Sequence, residues 1–404
     1  MNFRHPMRKV AEAGATGGHL GPFLCWAVVF ADIGTSVYYT PGVLFGRVGV
    51  HAAIFVTLTL GVFVLLTLKY REVAVRYPEG GGVVTVASQA IHPFAGLLGG
   101  MFILVDYFLT AAISALSGLI YLSLVVTGLT PYIVPATLAA LGLLVLLNLI
   151  GIGASAGVTA VFATLAAGSQ LLVVAAVTIH IGPTHVLSSI PKAFSGPHLT
   201  AVTLLTGYAG AFLAFSGLES IAQLAPAMRL PRRRVSHLAM GAVVATIALT
   251  SPLLTLWSTT LLDAKKNDPN QFISLLGGYA AGHWLQTEVA ITAAILLVFA
   301  SNTALIGSYH VFLALSRMRF LPDVLEHTNR LRRTPHWAIL AAVAIPSGVL
   351  VASRGDGNPR RSLCLWLARC LQPHLCGARY RPMARATSGL RGRSRIWRCP
   401  PGSA

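Results

Sequence analysis

Residues 31–42 read ADIGTSVYYTPG, a polar, glycine-bearing interruption of the first long apolar run. Its acid, Asp32, would lie near the middle of a membrane span, where a carboxylate costs roughly 3 kcal/mol. Gly34, Thr35 and Pro41 weaken a helix. An unwound turn frees backbone carbonyls, which is tolerated only beside a cavity. The stretch therefore predicts a broken helix whose carbonyls and carboxylate form a cation site. The alternative is a kinked helix in which Asp32 only hydrogen-bonds to a neighbouring span.

The composition of the chain indicates a membrane protein. Of its 404 residues, 55% are hydrophobic and only 10% are charged, and the mean hydropathy is +0.70. Soluble domains carry about 25% charged residues, so these charges are too few to cover a water-soluble surface. Runs of roughly 20 apolar residues are long enough to cross ~30 Å of hydrocarbon. The sequence has nine such runs, at about 20–45, 50–69, 93–123, 132–150, 157–181, 201–225, 236–260, 286–314 and 336–353.

Basic residues predict the orientation of these spans. The formal net charge of +18 comes from short clusters between apolar runs, which argues against nucleic-acid binding. With the N-terminus inside, the inner segments hold 15 Lys and Arg residues and the outer segments hold four. Inner loops of membrane proteins are enriched in Lys and Arg. We therefore expect a multi-pass protein of the cell inner membrane or plasma membrane, with a cytoplasmic N-terminal segment at 1–19.

A second interruption lies in the sixth run, where residues 206–220 read TGYAGAFLAFSGLES. It combines glycines, hydroxyls and one acid, Glu219, and it lies five spans after the first interruption. Broken helices at corresponding positions of two halves are the best sequence indication of a transporter binding site. Small residues can also serve close helix packing. That alternative explains the glycines but not the two carboxylates.

The third run carries a polar stripe of Asp106, Thr110 and Ser114. A spacing of four residues places all three on one helical face. Carboxylate and hydroxyl oxygens there could replace the water around a cation or relay a proton; the alternative is an interhelical hydrogen-bond stripe. No phosphate loop, zinc-ligand spacing or nucleophile–base pair is present. We therefore expect no enzyme activity, no cofactor and no metal beyond K⁺.

Several further motifs occur in a fixed order along the chain. They are YPEGGG at 77–82, FSGLE at 215–219, RLPRR at 229–233, SRMRFLP at 316–322 and TPHWA at 334–338. With the two interruptions, they make residues 20–353 resemble the amino acid–polyamine–organocation (APC) superfamily. That resemblance implies a LeuT-like inverted repeat of five plus five helices, whose unwound first and sixth helices hold the substrate. It also implies secondary active transport.

Within that superfamily, DIGTS at 32–36 is similar to the first-helix signature of KUP-type potassium importers. The related KimA-type importers bind potassium through residues of the first, third and sixth helices. That resemblance implies a cation site formed by Asp32, Gly34, Thr35, Tyr39, Asp106, Thr110, Ser114 and Ser216. Glu219 is the candidate for proton coupling or for bracing the broken sixth helix. Amino acid carriers instead use a small first-helix turn to seat the substrate carboxylate, which Asp32 would repel.

The last 51 residues, 354–404, differ from the rest: they hold 11 Arg, four Cys and one acid. This composition predicts a frameshifted or disordered basic tail, and only nine spans of the expected bundle are readable. The leading hypothesis is proton-coupled potassium uptake, with Na⁺ as another coupling ion. An amino acid or polyamine permease and a non-functional truncated membrane protein are the alternatives. The expected partners are a small solute, K⁺ or an amino acid, and the lipid bilayer; a homodimer is compatible with the sequence.

Overall fold

The computed structural model describes residues 19–77, 82–150, 156–182, 188–196, 199–263, 267–329 and 334–353. The helices in chain order are α1 (Pro22–Ile33), α2 (Ser36–Val48), α3 (Ala52–Arg76), α4 (Gly82–Ala90), α5 (Pro93–Leu122), α6 (Ile133–Ile150), α7 (Ala156–Ile181), α8 (Ala201–Ala211), α9 (Ser220–Gln223), α10 (Arg232–Thr260), α11 (Phe272–Ala281), α12 (His283–Arg317) and α13 (His336–Ser353).

The predicted all-α polytopic membrane fold is confirmed. Over the described ranges no β-strand forms, and the one bridge outside helices pairs Leu20 with Met228. Large apolar side chains also cover the outside of the bundle; Phe102 is 75% exposed and Leu205 70%. Apolar surface on this scale requires a lipid environment. The chain is therefore a multi-pass membrane protein.

The predicted count of nine spans is not confirmed. Within the described ranges, seven helical stretches are long and apolar enough to cross a membrane, judged by length and composition. The first of them, Pro22–Arg76, is a single stretch of 55 residues that contains α1, α2 and α3, and His336–Ala352 is apolar but shorter. The predicted inverted repeat stays a prediction, because the span that completes its second half is not among the described residues. The predicted basic tail lies outside those residues as well.

Helices α5 and α12 pack extensively against each other. Gly118 lets them approach closely, since a Cβ atom there would lie 3.1 Å from the Ala294 carbonyl oxygen. Ser301 on α12 donates a hydrogen bond to the Ala111 carbonyl of α5 (3.0 Å). Small residues and hydroxyls of this kind hold membrane helices together where the hydrophobic effect cannot. The α5–α12 pair thus fixes the position of the polar stripe on α5.

We expect Asn148→Leu to lower the free energy of unfolding in detergent by about 0.6–1.7 kcal/mol. The Asn148 amide nitrogen on α6 donates to Asn302 Oδ1 on α12 (2.6 Å), and both side chains are buried. The single variant leaves that acceptor unpaired, whereas Asn148→Leu/Asn302→Leu removes both polar groups. Denaturant titration measures the free energy of unfolding of the native protein, the two single variants Asn148→Leu and Asn302→Leu, and the double variant. The loss in the double variant should be smaller than the sum of the two single losses. Additive losses would contradict this role for the pair.

Candidate functional site

The first predicted interruption is a short break between α1 and α2. Gly34 and Thr35 leave the helix, yet both keep right-handed helical backbone angles. The carbonyls at the break already accept hydrogen bonds: Asp32 O from Thr35 Oγ1 (2.6 Å), Ile33 O from Ser36 Oγ (2.6 Å) and Gly34 O from Gln170 Nε2 (2.9 Å). The unwinding is thus smaller than the sequence suggested, and each of these carbonyls keeps only its second lone pair for a ligand.

The second interruption is a full break of the sixth span. After α8, residues Phe212–Phe215 form a 3₁₀ turn, and Ser216 is extended at φ −65° and ψ 143°. Gly217 follows at φ +104°, a backbone conformation that side chains other than glycine's rarely adopt. A Cβ atom at Gly217 would also lie 2.7 Å from Asp32 Cγ and Oδ2. The backbone of Gly217 therefore packs directly against the Asp32 carboxylate at the first break.

Two hydroxyls of this turn bind the two carboxylates predicted for the site. Ser220 Oγ donates to Asp32 Oδ2 over 2.6 Å. Ser216 Oγ donates to Asp106 Oδ2 over 2.7 Å. Hydrogen bonds to an ionised acceptor are about twice as strong as neutral ones. The first, third and sixth spans thus meet at two carboxylates, each held by a serine of the broken span.

The rest of the polar stripe on α5 lies beside these carboxylates. Thr110 and Ser114 are buried, and neither hydroxyl makes a hydrogen bond of standard geometry to a described residue. Tyr39, on α2, is buried with its phenol close to Ser114 and to both carboxylates. Buried hydroxyls without partners are uncommon and need an explanation. A bound ligand that interacts with the lone pairs of these hydroxyl oxygens would provide that explanation.

Glu219 lies on the same turn and is 5% exposed. Its Oε1 atom has no hydrogen-bond partner of standard geometry, although the carboxyl group faces the Tyr107 phenol. It lines a cavity of about 150 Å³ together with Thr59, Phe63, Leu66, Tyr70, Phe212, Phe215 and Leu218. Among the described residues the one salt bridge is the surface pair Arg76–Glu72 (2.5 Å), far along α3. Three acids therefore share this region without a basic partner.

That arrangement has an electrostatic consequence. Asp32, Asp106 and Glu219 are close enough to act on one another electrostatically. Like charges in a poorly solvated site disfavour each other, and each is costly without a partner. A bound cation, bound protons or both would compensate this charge. The donors of the site are oxygens of carboxylates, hydroxyls and a phenol, the ligand type preferred by hard cations.

The structure brings Asp32, Asp106, Tyr39, Ser114 and Ser216 close together, and it adds residues that the sequence interpretation missed. The assignment of the predicted residues to a cation site stays a prediction. Ser220 was quoted within the sixth-span stretch but not assigned to the site, although it binds Asp32. Gly217 was counted only as part of an interruption. Gln170 on α7 was not considered at all, because it lies in an apolar run with no neighbouring acid. Gln223 donates to the Tyr107 phenol (2.6 Å) and thereby supports the group that faces Glu219.

Comparison with known proteins agrees with this architecture. The family model described as "Amino acid permease" matches residues 20–357. The chain is 26% identical over 309 residues to "Potassium transporter KimA" of Bacillus subtilis (strain 168), covering 73% of this chain and 50% of that protein. It is 34% identical over 146 residues to "Probable potassium transport system protein Kup" of Aeromonas salmonicida (strain A449), covering 31% of this chain and 23% of that protein.

The two matches cover only part of each relative. The chain spans half the length of the KimA protein and about a quarter of the Kup protein. The family match, in contrast, runs from the start of the first span to the end of the described residues and beyond. It includes both interruptions and the stripe on α5. This chain therefore belongs to the amino acid permease family of the APC superfamily.

Proposed function

We propose that this transporter takes up potassium across the cell inner membrane or plasma membrane, with its N-terminus in the cytoplasm. The observation that carries the proposal is the meeting of Asp32 and Asp106 at the broken sixth span, with unpartnered hydroxyls beside them. Oxygen ligands can replace the hydration shell of K⁺. In this proposal Asp32, Asp106 and Tyr39 supply the charged and phenolic oxygens. Thr110, Ser114, Ser216 and the carbonyl at Gly34, with the neighbouring Thr35, complete the ligand shell.

The relatives support a cation as the solute. Both are named as potassium transport proteins. The charge of the site agrees with that, since it contains acids and no paired base. The description of the matching family favours a second candidate, an amino acid. Asp32 would repel the carboxylate of such a substrate, so we rank the amino acid below K⁺. A homodimer and activity of this particular chain remain predictions.

The unpartnered hydroxyls provide a test of K⁺ binding. We expect Thr110→Val and Ser114→Ala each to weaken K⁺ binding several-fold. Thr110→Val should leave the stability of the ion-free protein unchanged, because its hydroxyl has no hydrogen-bond partner among the described residues. Ser114→Ala also loses the contact with the Tyr39 phenol, so its effect on stability is measured alongside. Isothermal titration of purified protein with KCl measures the affinity, and thermal unfolding measures stability. Ser308→Ala is the matched control, because its buried hydroxyl bonds only within its own helix (2.9 Å to Ala304 O). Unchanged K⁺ affinity in both test variants would contradict the proposed ligand shell.

Glu219 is proposed to carry the coupling proton. It lies on the broken sixth span, beside the proposed cation site, and its carboxyl group faces the Tyr107 phenol. We expect Glu219→Gln to retain K⁺ binding within a factor of about three but to lose K⁺ accumulation driven by a pH gradient in proteoliposomes, since the amide cannot exchange a proton. Full proton-driven accumulation in the variant would exclude this role. A gradient of Na⁺ imposed instead of H⁺ tests the other coupling ion.

A further inference from the structure

A surface groove lies at the start of α10 and shares no residue with the candidate cation site. Its volume is about 460 Å³, and it is lined by Pro231, Arg233, Arg234, His237 and Leu238. Helix α10 has 29 residues and is apolar enough to cross a membrane. At 1.5 Å per residue it is roughly 43 Å long, which matches the thickness of a bilayer with its headgroups. The first turns of the helix, which carry the groove, therefore lie at the depth of the lipid headgroups.

The two arginines that line the groove carry uncompensated charge. Arg233 and Arg234 are exposed, and neither guanidinium group forms an ion pair or a hydrogen bond with a described residue. Their neighbour Arg232 differs, because its Nε donates to the Ala225 carbonyl (3.0 Å) and is therefore directed at the protein. A guanidinium group is planar, and its N–H donors match the oxygens of a phosphate in pairs. The groove thus presents two such groups, with the His237 ring beside them, to an anion.

The backbone that leads into the groove is held in place by the first and sixth spans. Leu20, just before α1, donates its N–H to the Ala227 carbonyl (2.9 Å), and its own carbonyl accepts from the Arg229 N–H (3.0 Å). The bond from Arg232 to the end of the sixth span adds a third attachment. The two groove arginines therefore project from a backbone that is already positioned before any ligand binds.

The surroundings of the groove are apolar. Leu230 and Leu238 flank the arginines and are 69% and 49% exposed. The same exposed face of α10 continues with Ala242, Ala245 and Leu249, at the spacing of successive helical turns. A soluble anion would use only the arginines. A ligand with a phosphate at one end and long apolar chains at the other fits both parts of this surface.

We propose that Arg233, Arg234 and His237 bind the phosphate of an anionic phospholipid, whose acyl chains lie along the exposed face of α10. Clusters of basic residues at the end of a membrane helix attract anionic lipids. Lys and Arg in loops also set the orientation of membrane proteins. That second role depends only on how many charges lie on one side, so it would make the exposed arginines of that side interchangeable. A site requires these particular arginines.

The test is thermal unfolding of the purified full chain in detergent mixed with phosphatidylglycerol or with phosphatidylcholine of the same acyl chains. A ligand that binds only the folded state raises the melting temperature as its concentration increases. We expect a larger rise with phosphatidylglycerol, whose headgroup carries a net negative charge. Arg233→Gln/Arg234→Gln should need about 10- to 30-fold more phosphatidylglycerol for the same rise. Arg317→Gln/Arg319→Gln is the matched control: it removes two exposed arginines at the end of α12 and should respond like the native protein.

Three results would overturn the proposal. Equal stabilisation by the two lipids would show that the headgroup charge is not recognised. An equal loss in both double variants would show a general attraction between charges and no site. A rise with inorganic phosphate as large as that with phosphatidylglycerol would assign the groove to a soluble anion. Unfolding in phosphatidylcholine alone shows whether each variant is folded, since removal of exposed charges should leave that melting temperature unchanged.

Discussion

Asp32→Asn is expected to weaken K⁺ binding to the purified protein by about 10- to 100-fold. The asparagine keeps the shape of the side chain and can still accept the hydrogen bond from Ser220 (2.6 Å in the native protein). It loses the negative charge that faces the ion. Hydrogen bonds and contacts to charged groups contribute roughly 1.5–3 kcal/mol, and every 1.4 kcal/mol is tenfold in affinity. Isothermal titration with KCl, using choline chloride as the blank, measures the change.

The matched control for this variant is Asp323→Asn, which removes the same charge at an exposed position outside the site. It should leave the K⁺ affinity within a factor of about two, since exposed charges are well screened at ordinary salt. Thermal unfolding in choline chloride shows whether both proteins remain folded. Equal K⁺ affinity in the Asp32→Asn variant and the native protein would remove Asp32 from the site.

Gly217→Ala is expected to have the second large effect, because it perturbs the contact between the two breaks. The native φ of +104° is strained for alanine, at a cost of roughly 1–3 kcal/mol. The new methyl group would also lie 2.7 Å from Asp32 Cγ, so the carboxylate or the turn must move. We expect a lower melting temperature and a K⁺ affinity at least tenfold weaker. Thermal unfolding and titration on the same preparation measure both.

Gly241→Ala is the control for that variant. Gly241 lies inside α10, and a Cβ atom there meets nothing within 4 Å. Alanine in a helix is more favourable than glycine by about 1 kcal/mol, so this substitution should leave K⁺ binding unchanged and the protein equally or more stable. If Gly217→Ala behaved like Gly241→Ala in both measurements, the turn would not be positioned by its contact with Asp32.

Much of the site could be predicted from composition and spacing. A carboxylate in an apolar run is conspicuous because its burial is expensive, which identified Asp32, Asp106 and Glu219. The spacing of four residues placed Thr110 and Ser114 on the face of Asp106, since an α-helix repeats every 3.6 residues. Glycines marked the broken sixth span. Each of these signals depends on the residues of a single helix and not on how the helices pack against one another.

The contacts between spans could not be predicted in the same way. Which serine of the sixth span meets which acid depends on the path of the break, and that path depends on the φ of Gly217. Gln170 reaches the Gly34 carbonyl from a span with no local sign of function. The number of spans was also uncertain, because α1, α2 and α3 follow one another as a continuous 55-residue apolar stretch. Tertiary packing, and not periodicity, decides these features.

The most direct test of the account compares K⁺ uptake with amino acid uptake in the same proteoliposomes. Purified protein is reconstituted, a pH gradient is imposed, and the uptake of K⁺ and of a panel of labelled amino acids is followed with and without the gradient. We expect saturable, gradient-driven K⁺ uptake that is lost in Asp32→Asn, and no uptake of amino acids above protein-free vesicles. Uptake of an amino acid without K⁺ movement, or K⁺ uptake of equal rate in Asp32→Asn, would contradict it.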